Sequence, residues 1–266
     1  MPRACTGLLL LASCGGGGGF PDAPPADSSG PTGTFSVSWT VTDQNSQPIT
    51  CDRIAGQTMT VLAHNLAFEG GTPEVFACST GMGMSQGLTP GNYDMNFELA
   101  GTFGMLARGV AQGPIAIKAN SNVELAPVAF SVEALGGVAL KLATGKPGGN
   151  CGTQQNMGAG IDQVSITLNH NSDGTCEPIT LTIADGATQL GGTYTINCTT
   201  PVLRACIEAD QTITATSVAS DAYTIRIRGF NQGKQCYLNM DTIQVPPLNK
   251  VLIRTLNLGL QPVMGC

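Results

Sequence analysis

Apolar and polar residues alternate with a period of two along most of the chain, which is the pattern of half-buried β-strands. The predicted strands contain Phe35, Val37, Trp39 and Val41; Tyr93, Met95, Phe97 and Leu99; Val123 and Leu125; Val138, Leu140 and Leu142; Val164, Ile166 and Leu168; Tyr223, Ile225 and Ile227; and Val251, Ile253 and Leu256. Turn-forming pairs such as Pro90-Gly91, Asp173-Gly174, Asp185-Gly186 and Gly191-Gly192 separate these runs. Evenly spaced short strands with such turns predict an all-β sandwich or barrel.

The strand pattern also suggests a weak internal repeat. With a fixed offset, one set of apolar residues aligns with a later set: Ile117, Val123, Leu125 and Val128 with Val245, Val251, Ile253 and Leu256. Cys78 falls on Cys206 at the same offset, and Tyr93 and Tyr223 each begin an alternating strand. His64-Asn65 echoes His170-Asn171 at a smaller offset, which implies an insertion in the second half. Chance alignment of ordinary strand patterns is the alternative.

The segment Leu88-Thr89-Pro90-Gly91-Asn92-Tyr93 resembles the L-x-P-G-x-Y stretch of prealbumin-like and carboxypeptidase-regulatory-like immunoglobulin-type sandwiches. In the second half, Ser220-Asp221-Ala222 precedes Tyr223, without the Pro-Gly pair. The resemblance implies a spacer or binding module and no enzyme. We therefore expect an all-β chain of two tandem immunoglobulin-like antiparallel β-sandwich domains, residues 34–134 and 135–266.

The N-terminus has the pattern of an export signal. Residues 1–13 contain Arg3 and an apolar run too short to span a bilayer. Leu11-Ala12-Ser13-Cys14 resembles the bacterial lipobox, which implies cleavage before Cys14 and acylation of that residue. Acyl chains hold a protein firmly on a membrane. Gly15 follows the cysteine in place of the aspartate that commonly marks inner-membrane retention, which favours the outer membrane.

The alternative to a lipoprotein signal is an ordinary secretory signal that is cleaved elsewhere, with a free or disulfide-bonded Cys14. Residues 14–33 are rich in Gly and Pro and contain nothing that can form a core, so we interpret them as a flexible tether.

Ten cysteines in a weakly charged chain indicate an oxidising compartment. Apart from Cys5 and Cys14, an even set of eight remains as disulfide candidates: Cys51, Cys78, Cys151, Cys176, Cys198, Cys206, Cys236 and Cys266. We expect Cys51–Cys78, because the first half contains no other cysteine, and Cys236–Cys266 at the C-terminus. Zinc is disfavoured, because no closely spaced cysteine pair is present.

Charge and motifs exclude several classes of function. Charged residues are 11% of the chain, the net charge is −6, and the 12 Lys and Arg are scattered, which disfavours nucleic-acid binding. Neither His64 nor His170 lies near a nucleophile motif. Asn169, Asn171 and Asp173 resemble the start of a calcium loop, but position twelve is Thr180, and a hairpin turn at Asp173-Gly174 is the stronger interpretation.

The remaining chemical candidates are weaker. Met82, Met84, Met95 and Met105 could attract a soft metal, although methionine more commonly fills gaps. Trp39 is expected in the core, and the few aromatic residues give glycan binding no support.

We therefore expect no cofactor and a membrane-anchored, non-enzymatic ectodomain that is structural or binds an unknown protein or small ligand. The alternative is an extracytoplasmic hydrolase, or a glycan- or calcium-binding protein, whose site forms only in the folded chain.

Overall fold

The computed structural model describes residues 30–68, 70–185, 192–200, 202–262 and 266. In the first half (residues 34–134) the strands are β1 (Thr34–Thr42), β2 (Gly56–Asn65), β3 (Gly71–Ala77), β4 (Met82–Met84), β5 (Gly91–Gly101), β6 (Gly104–Arg108), β7 (Gln112–Ile117), β8 (Asn122–Glu124) and β9 (Val128–Ser131). In the second half (residues 135–266) they are β10 (Leu135–Ala143), β11 (Gln163–His170), β12 (Thr180–Asp185), β13 (Thr193–Thr195), β14 (Arg204–Ala205), β15 (Gln211–Ala219), β16 (Ala222–Asn231), β17 (Lys234–Gln244), β18 (Val251–Asn257) and β19 (Gly259–Leu260). Short 3-10 turns lie at Cys78–Thr80 and Gln154–Asn156.

Two sheets form the sandwich of the first half. One has the order β4-β1-β8, with β9 also paired to β1, and the other has the order β3-β2-β5-β6, with β7 also paired to β5. Side chains from both sheets, including Phe35, Met59 and Phe97, share one buried cluster. Trp39 belongs to this cluster, and its Nε1–H donates to the Cys78 carbonyl at 2.9 Å. The expectation that Trp39 is a core residue is confirmed.

The second half repeats this plan with two five-stranded sheets. Their orders are β13-β12-β15-β10-β18 and β14-β11-β16-β17-β19, and they enclose a second buried cluster that includes Leu142, Ile166 and Ile227. The all-β, disulfide-stapled sandwich class expected from the alternation is confirmed. No helix among the described residues has the length and apolar character needed to cross a bilayer.

Some strand pairs are parallel, which the alternation did not predict. β1 runs parallel to β8 and β9, and β10 runs parallel to β18. In each half the first strand pairs with a strand near the end of that half, so the intervening chain passes through the opposite sheet, as a parallel pair requires. Alternation identifies the buried face of a strand but carries no information on the direction of its neighbour.

The two halves share local features at corresponding positions, which are a tyrosine hydrogen bond and a close approach at a glycine. Tyr93 and Tyr223 each donate the hydroxyl hydrogen to the carbonyl four residues upstream, at 2.7 and 2.8 Å, which is the tyrosine corner of immunoglobulin-like sandwiches. Gly33 and Gly136 also correspond: a Cβ would lie 2.2 Å from the Lys118 carbonyl oxygen at one and 1.8 Å from the Pro246 carbonyl oxygen at the other. Two independent close approaches at matching places support the repeat.

The alignment with a fixed offset is wrong for part of the last strand. Leu125 is buried, whereas Ile253, its supposed counterpart, is 81% exposed. Val123 pairs with Phe35, and Leu252 pairs with Val138, so Leu252 and not Val251 corresponds to Val123. The first half breaks this region into β8 and β9, whereas β18 is continuous. A one-residue shift places a side chain on the opposite face of a sheet.

The pairing of the two histidines is also wrong by one residue. Tyr93 lies opposite Asn65, while Tyr223 lies opposite His170. Asn65, and not His64, is therefore the structural counterpart of His170. The expected insertion in the second half is present as the β12–β13 hairpin, which lies between β11 and β14, whereas β2 leads directly to β3.

Candidate functional site

The eight cysteines of the body form four disulfides, each within one half. They are Cys51–Cys78, Cys151–Cys206, Cys176–Cys198 and Cys236–Cys266. The first and last agree with the pairings expected from the sequence. Cys51–Cys78 and Cys151–Cys206 are counterparts, because Cys78 follows β3 and Cys206 follows β14. Cys176–Cys198 brackets the β12–β13 hairpin.

The lipidation candidate Cys14 and most of the tether lie outside the described residues, as do Gly186 and Gly191 of the predicted turns. The lipid anchor therefore stays a prediction from the sequence.

The calcium candidates lie at a hairpin turn, and each of their side chains makes a hydrogen bond. Asp173 Oδ1 accepts hydrogen bonds from the backbone N–H and hydroxyl of Thr175, at 2.9 and 2.6 Å, and these bonds lower the pKa of Asp173. Asn171 Oδ1 accepts from the Thr224 hydroxyl at 2.7 Å, while Asn169 donates to the Gly174 carbonyl at 2.9 Å. The described residues contain no group of three or more His, Cys, Asp or Glu arranged to hold a metal.

A cluster of titratable groups lies beside this turn, where β11 ends. His170 Nδ1 is 2.7 Å from Asp221 Oδ2, and His170 Nε2 is 2.9 Å from Glu177 Oε2. The Asp221 side chain is 6% exposed and that of His170 is 12% exposed. The His170 ring lies over the Tyr223 ring, with 4.5 Å between the ring centres. We call His170, Asp221, Glu177 and Tyr223 the histidine cluster.

The cluster favours a positively charged imidazole. Burial alone would lower the pKa of His170, but its hydrogen bonds to Asp221 and Glu177, and the charges of these carboxylates, raise the pKa above its ordinary value. An imidazolium can donate to both carboxylates at once, whereas a neutral ring has one N–H. Burial also raises the pKa of the Tyr223 hydroxyl. The arrangement therefore favours the protonated ring and engages both of its nitrogens.

A catalytic histidine needs one ring nitrogen free to face a nucleophile or a substrate. Both ring nitrogens of His170 contact carboxylates. The neighbouring Ser220 hydroxyl is 2.9 Å from the Val245 carbonyl oxygen and 3.0 Å from the Arg53 carbonyl oxygen, so it too is engaged elsewhere. His64 is remote from this cluster, and its Nδ1 lies 2.7 Å from the Gly70 carbonyl oxygen. His170 therefore lacks the geometry of a serine-hydrolase base, and among the described residues no hydroxyl or thiol is hydrogen-bonded to His64.

The histidine cluster also joins the two halves. Arg53, in the turn that precedes β2, places Nε 3.4 Å from Asp221 Oδ2. The Arg53 carbonyl accepts hydrogen bonds from the Ser220 hydroxyl and from the Gln244 side-chain amide, at 3.0 and 3.2 Å. One residue of the first half therefore contacts three side chains of the second, which indicates a specific junction.

Sequence reasoning missed both the histidine cluster and this junction. Asp221 is 51 residues from His170 in the chain, and Glu177 lies after an intervening turn. The polar run at Ser220-Asp221, where the first half has Pro-Gly, was the available signal, since it replaces turn formers with charged and hydroxyl groups.

An open groove of about 400 Å³ lies on the outer face of β4, β1 and β8. Its lining is Ser36, Val37, Ser38, Met82, Gly83, Met84 and Glu124. Met82 and Met84 are 70% and 66% exposed, whereas Met95 is buried in the core. The candidate methionines therefore separate, and two of them form an apolar wall on one strand. We call this surface the methionine groove.

Comparison with known proteins assigns no family. The chain matches no protein-family model. A search of curated proteins also finds no match. Among solved structures, the Bacillus anthracis TIE protein aligns with 86% of this chain and 34% of its own, at 11% identity and a TM-score of 0.37. The shaft pilin SpaA from Lactobacillus rhamnosus GG aligns with 88% of this chain and 99% of its own, at 8% identity and a TM-score of 0.30. The major pilin from Streptococcus pyogenes aligns with 86% of this chain and 98% of its own, at 8% identity and a TM-score of 0.29.

Proposed function

We propose that this protein is an exported lipoprotein, anchored to the outer membrane through acylated Cys14, whose two sandwiches form a non-enzymatic ectodomain that binds a protein partner. The observation that carries the proposal is that residues 34–266 fold into two filled, disulfide-linked sandwiches. Both sandwich interiors are filled with apolar side chains, and both are cross-linked by disulfides. Structural disulfides persist in oxidising compartments, which supports export.

The histidine cluster supports a non-enzymatic role. A catalytic site holds titratable groups in a concave pocket with an atom free to reach the substrate. His170 and Asp221 instead lie at the junction between the halves and contact one another, Glu177 and Arg53. None of these residues lines the methionine groove. We interpret the cluster as a structural element.

Membrane fractionation tests the anchor. Cells expressing the full chain should retain it in the membrane fraction, and mass spectrometry should find an acylated N-terminal Cys14. Cys14→Ser should leave the protein soluble in the envelope or the medium, because the acyl chains supply the membrane affinity. Cys5→Ser is the matched control and should remain membrane-bound. A soluble wild-type protein would refute the lipoprotein assignment.

A comparison of hydrolysis rates tests the absence of catalysis. The mature protein and its His170→Gln variant should show the same background rates on p-nitrophenyl esters, glycosides and phosphates. A wild-type rate above the buffer blank that disappears in His170→Gln would contradict the proposal and favour the hydrolase alternative.

A further inference from the structure

β4 in the first half and β15 in the second half are counterparts. Val37 of β1 pairs with Gly83, and Leu140 of β10 pairs with Ile213. Four residues earlier in each half, Gly33 bridges to Leu88 and Gly136 pairs with Val218, so the two registers match there as well. Met82, Gly83 and Met84 therefore stand where Thr212, Ile213 and Thr214 stand in the second half.

The two counterparts differ in what lies on their other side. β15 pairs with β12, with Ile183 opposite Ile213 and Thr182 opposite Thr214. β4 ends its sheet, and within the described residues no strand pairs with its outer edge. In the second half, β12 is therefore the strand that pairs with the edge left open at β4 in the first half. In β12, Leu181 and Ile183 are buried and alternate with Thr180 and Thr182 on the outer face.

The unpaired backbone groups of β4 point away from the sheet. Trp39 N–H donates to the Gly81 carbonyl, and Ser85 N–H donates to the Phe35 carbonyl, both at 2.9 Å. Hydrogen-bonded residues alternate along an antiparallel pair, so Gly81, Gly83 and Ser85 bond towards β1. The backbone groups of Met82 and Met84 face the open edge. Thr80 Oγ1 donates to the Met82 carbonyl at 2.9 Å and can be displaced by a stronger backbone donor.

Among the described residues, the edge of β4 lacks the features that usually prevent strand addition, namely proline, charge or a covering strand. Its neighbour at the same side of the sandwich, β3, contains Pro73 and Glu74. β18, the far edge of the corresponding sheet in the second half, contains Arg254. β4 has the sequence Met-Gly-Met, and both methionine side chains are largely exposed.

The excess of acidic residues in the first half indicates that the partner is basic. The first half contains eight acidic and three basic residues, whereas the second half contains eight of each. Ser36 pairs with Met84 on one side and with Glu124 on the other, so an exposed carboxylate ends the row that crosses the methionine groove. Among the described residues Glu124 forms no ion pair. An acidic surface favours association with a basic segment.

We propose that the edge of β4 binds an extended, basic segment of another protein by strand addition, in the place that β12 occupies on β15. Alternate side chains of that segment lie beside Met82 and Met84, and its long cationic side chains extend across the methionine groove towards Glu124, which lies two strands from the β4 edge. This inference rests on the proposed function and names the surface and the partner class.

A synthetic copy of β12 tests the proposal. The probe is a fluorescent peptide that repeats residues 179–184 with two lysines at each end, titrated to about 1 mM against the mature full chain in detergent. We expect saturable binding by fluorescence polarisation, weakened several-fold between about 50 and 500 mM salt because screening reduces charge attraction. Met84→Pro should weaken binding about tenfold or more, because it removes an outward N–H without breaking a bond to β1.

Further variants separate the proposed contacts. Met84→Lys keeps the backbone donor but repels the lysines, and should also weaken binding. Glu124→Gln should reduce the salt dependence. Met157→Ala changes an exposed methionine of the second half and is the control that should bind as the wild type does. Melting temperatures establish that each variant is folded.

Two results would overturn the inference. One is the absence of binding at the highest peptide concentration, and the other is equal binding by wild type, Met84→Pro and Met84→Lys. Equal binding would leave the proposed binding module in place and show that the peptide uses another surface.

Discussion

The two halves differ at the outer edge of the equivalent strands β4 and β15. In the first half Phe76 of β3 lies so near Gly83 that a Cβ there would come within 2.3 Å of the ring, and the Phe76 ring centre is 6.0 Å from that of Trp39. In the second half the β12–β13 hairpin extends the sheet, and Leu181 and Ile183 complete the core. A shared connectivity therefore leaves the outer surface of each half free to differ. The first half keeps an open edge, and the second covers it.

The largest expected effects come from the counterpart disulfides. Replacing Cys151 and Cys206 with serine should lower the free energy of unfolding by about 4 kcal/mol, and replacing Cys51 and Cys78 by about 3.5 kcal/mol, because a longer closed loop restricts the unfolded chain more. The loops span 55 and 27 residues. Denaturant unfolding of each double variant measures both losses. A reversed order would show that the two bonds are not energetic counterparts.

Substitutions of the equivalent glycines, Gly33 and Gly136, should cause the next largest losses of stability, and they test the repeat. Gly136→Ala should destabilise the protein by about 3 kcal/mol, because its Cβ would overlap the Pro246 carbonyl oxygen, and overpacking forces the backbone to move. Gly33→Ala should also destabilise, through the Lys118 carbonyl oxygen. Gly259→Ala is the control, since its Cβ would meet its nearest neighbour at 3.6 Å. If either substitution behaves like the control, the close approach of the carbonyl oxygen does not limit stability at that position.

The comparison also explains what the sequence could predict. Strand positions such as 35–41 and 93–99 and the core role of Trp39 follow from local alternation and turn residues, because each depends on residues close in the chain. The insertion in the second half follows instead from the change of offset between the two repeats. The parallel pairing of β10 with β18, the outward direction of Ile253 and the cluster around His170 depend on contacts between distant segments. The repeat could be detected at Cys78 and Cys206, but a period of two tolerates a slip, so the histidines were paired wrongly.

In the second half, hydrogen bonds also join the β12–β13 hairpin to the opposite sheet. Removing them should lower the free energy of unfolding by less than the substitutions above. The Tyr194 hydroxyl accepts from Ile166 N–H at 2.8 Å and donates to the Val202 carbonyl at 2.7 Å. Tyr194→Phe should cost about 2 kcal/mol, because a buried N–H loses its partner. Thr195→Val, on the exposed face, should change the unfolding free energy by less than about 0.5 kcal/mol. Similar losses in thermal or denaturant unfolding for both variants would show that the hydroxyl does not fasten the hairpin.

The smallest expected effect concerns the strand end where Asn65 of the first half corresponds to His170 of the second. The pKa of His170 is raised in the folded protein, so between the unfolded value, about 6.5, and the folded value the native state binds more protons than the unfolded chain. The stability that the cluster contributes is therefore fully present below about pH 6.5 and is lost as the pH rises through the folded pKa. The other groups around the ring are Asp221, Glu177, Asp173, Arg53 and Tyr223.

Hydrogen bonding lowers the pKa of Asp173 and burial raises that of Tyr223, so neither titrates in this window. His170→Asn, which copies the residue of the first half, should flatten the fall in unfolding free energy above pH 6.5, whereas the control His64→Asn should keep the wild-type slope. Denaturant titrations at a series of pH values between about 6 and 9 provide the measurement. If wild type and His170→Asn lose stability equally across that range, the carboxylates do not hold a charged imidazole. The strand ends of the two halves would then differ in residue type without differing in electrostatics.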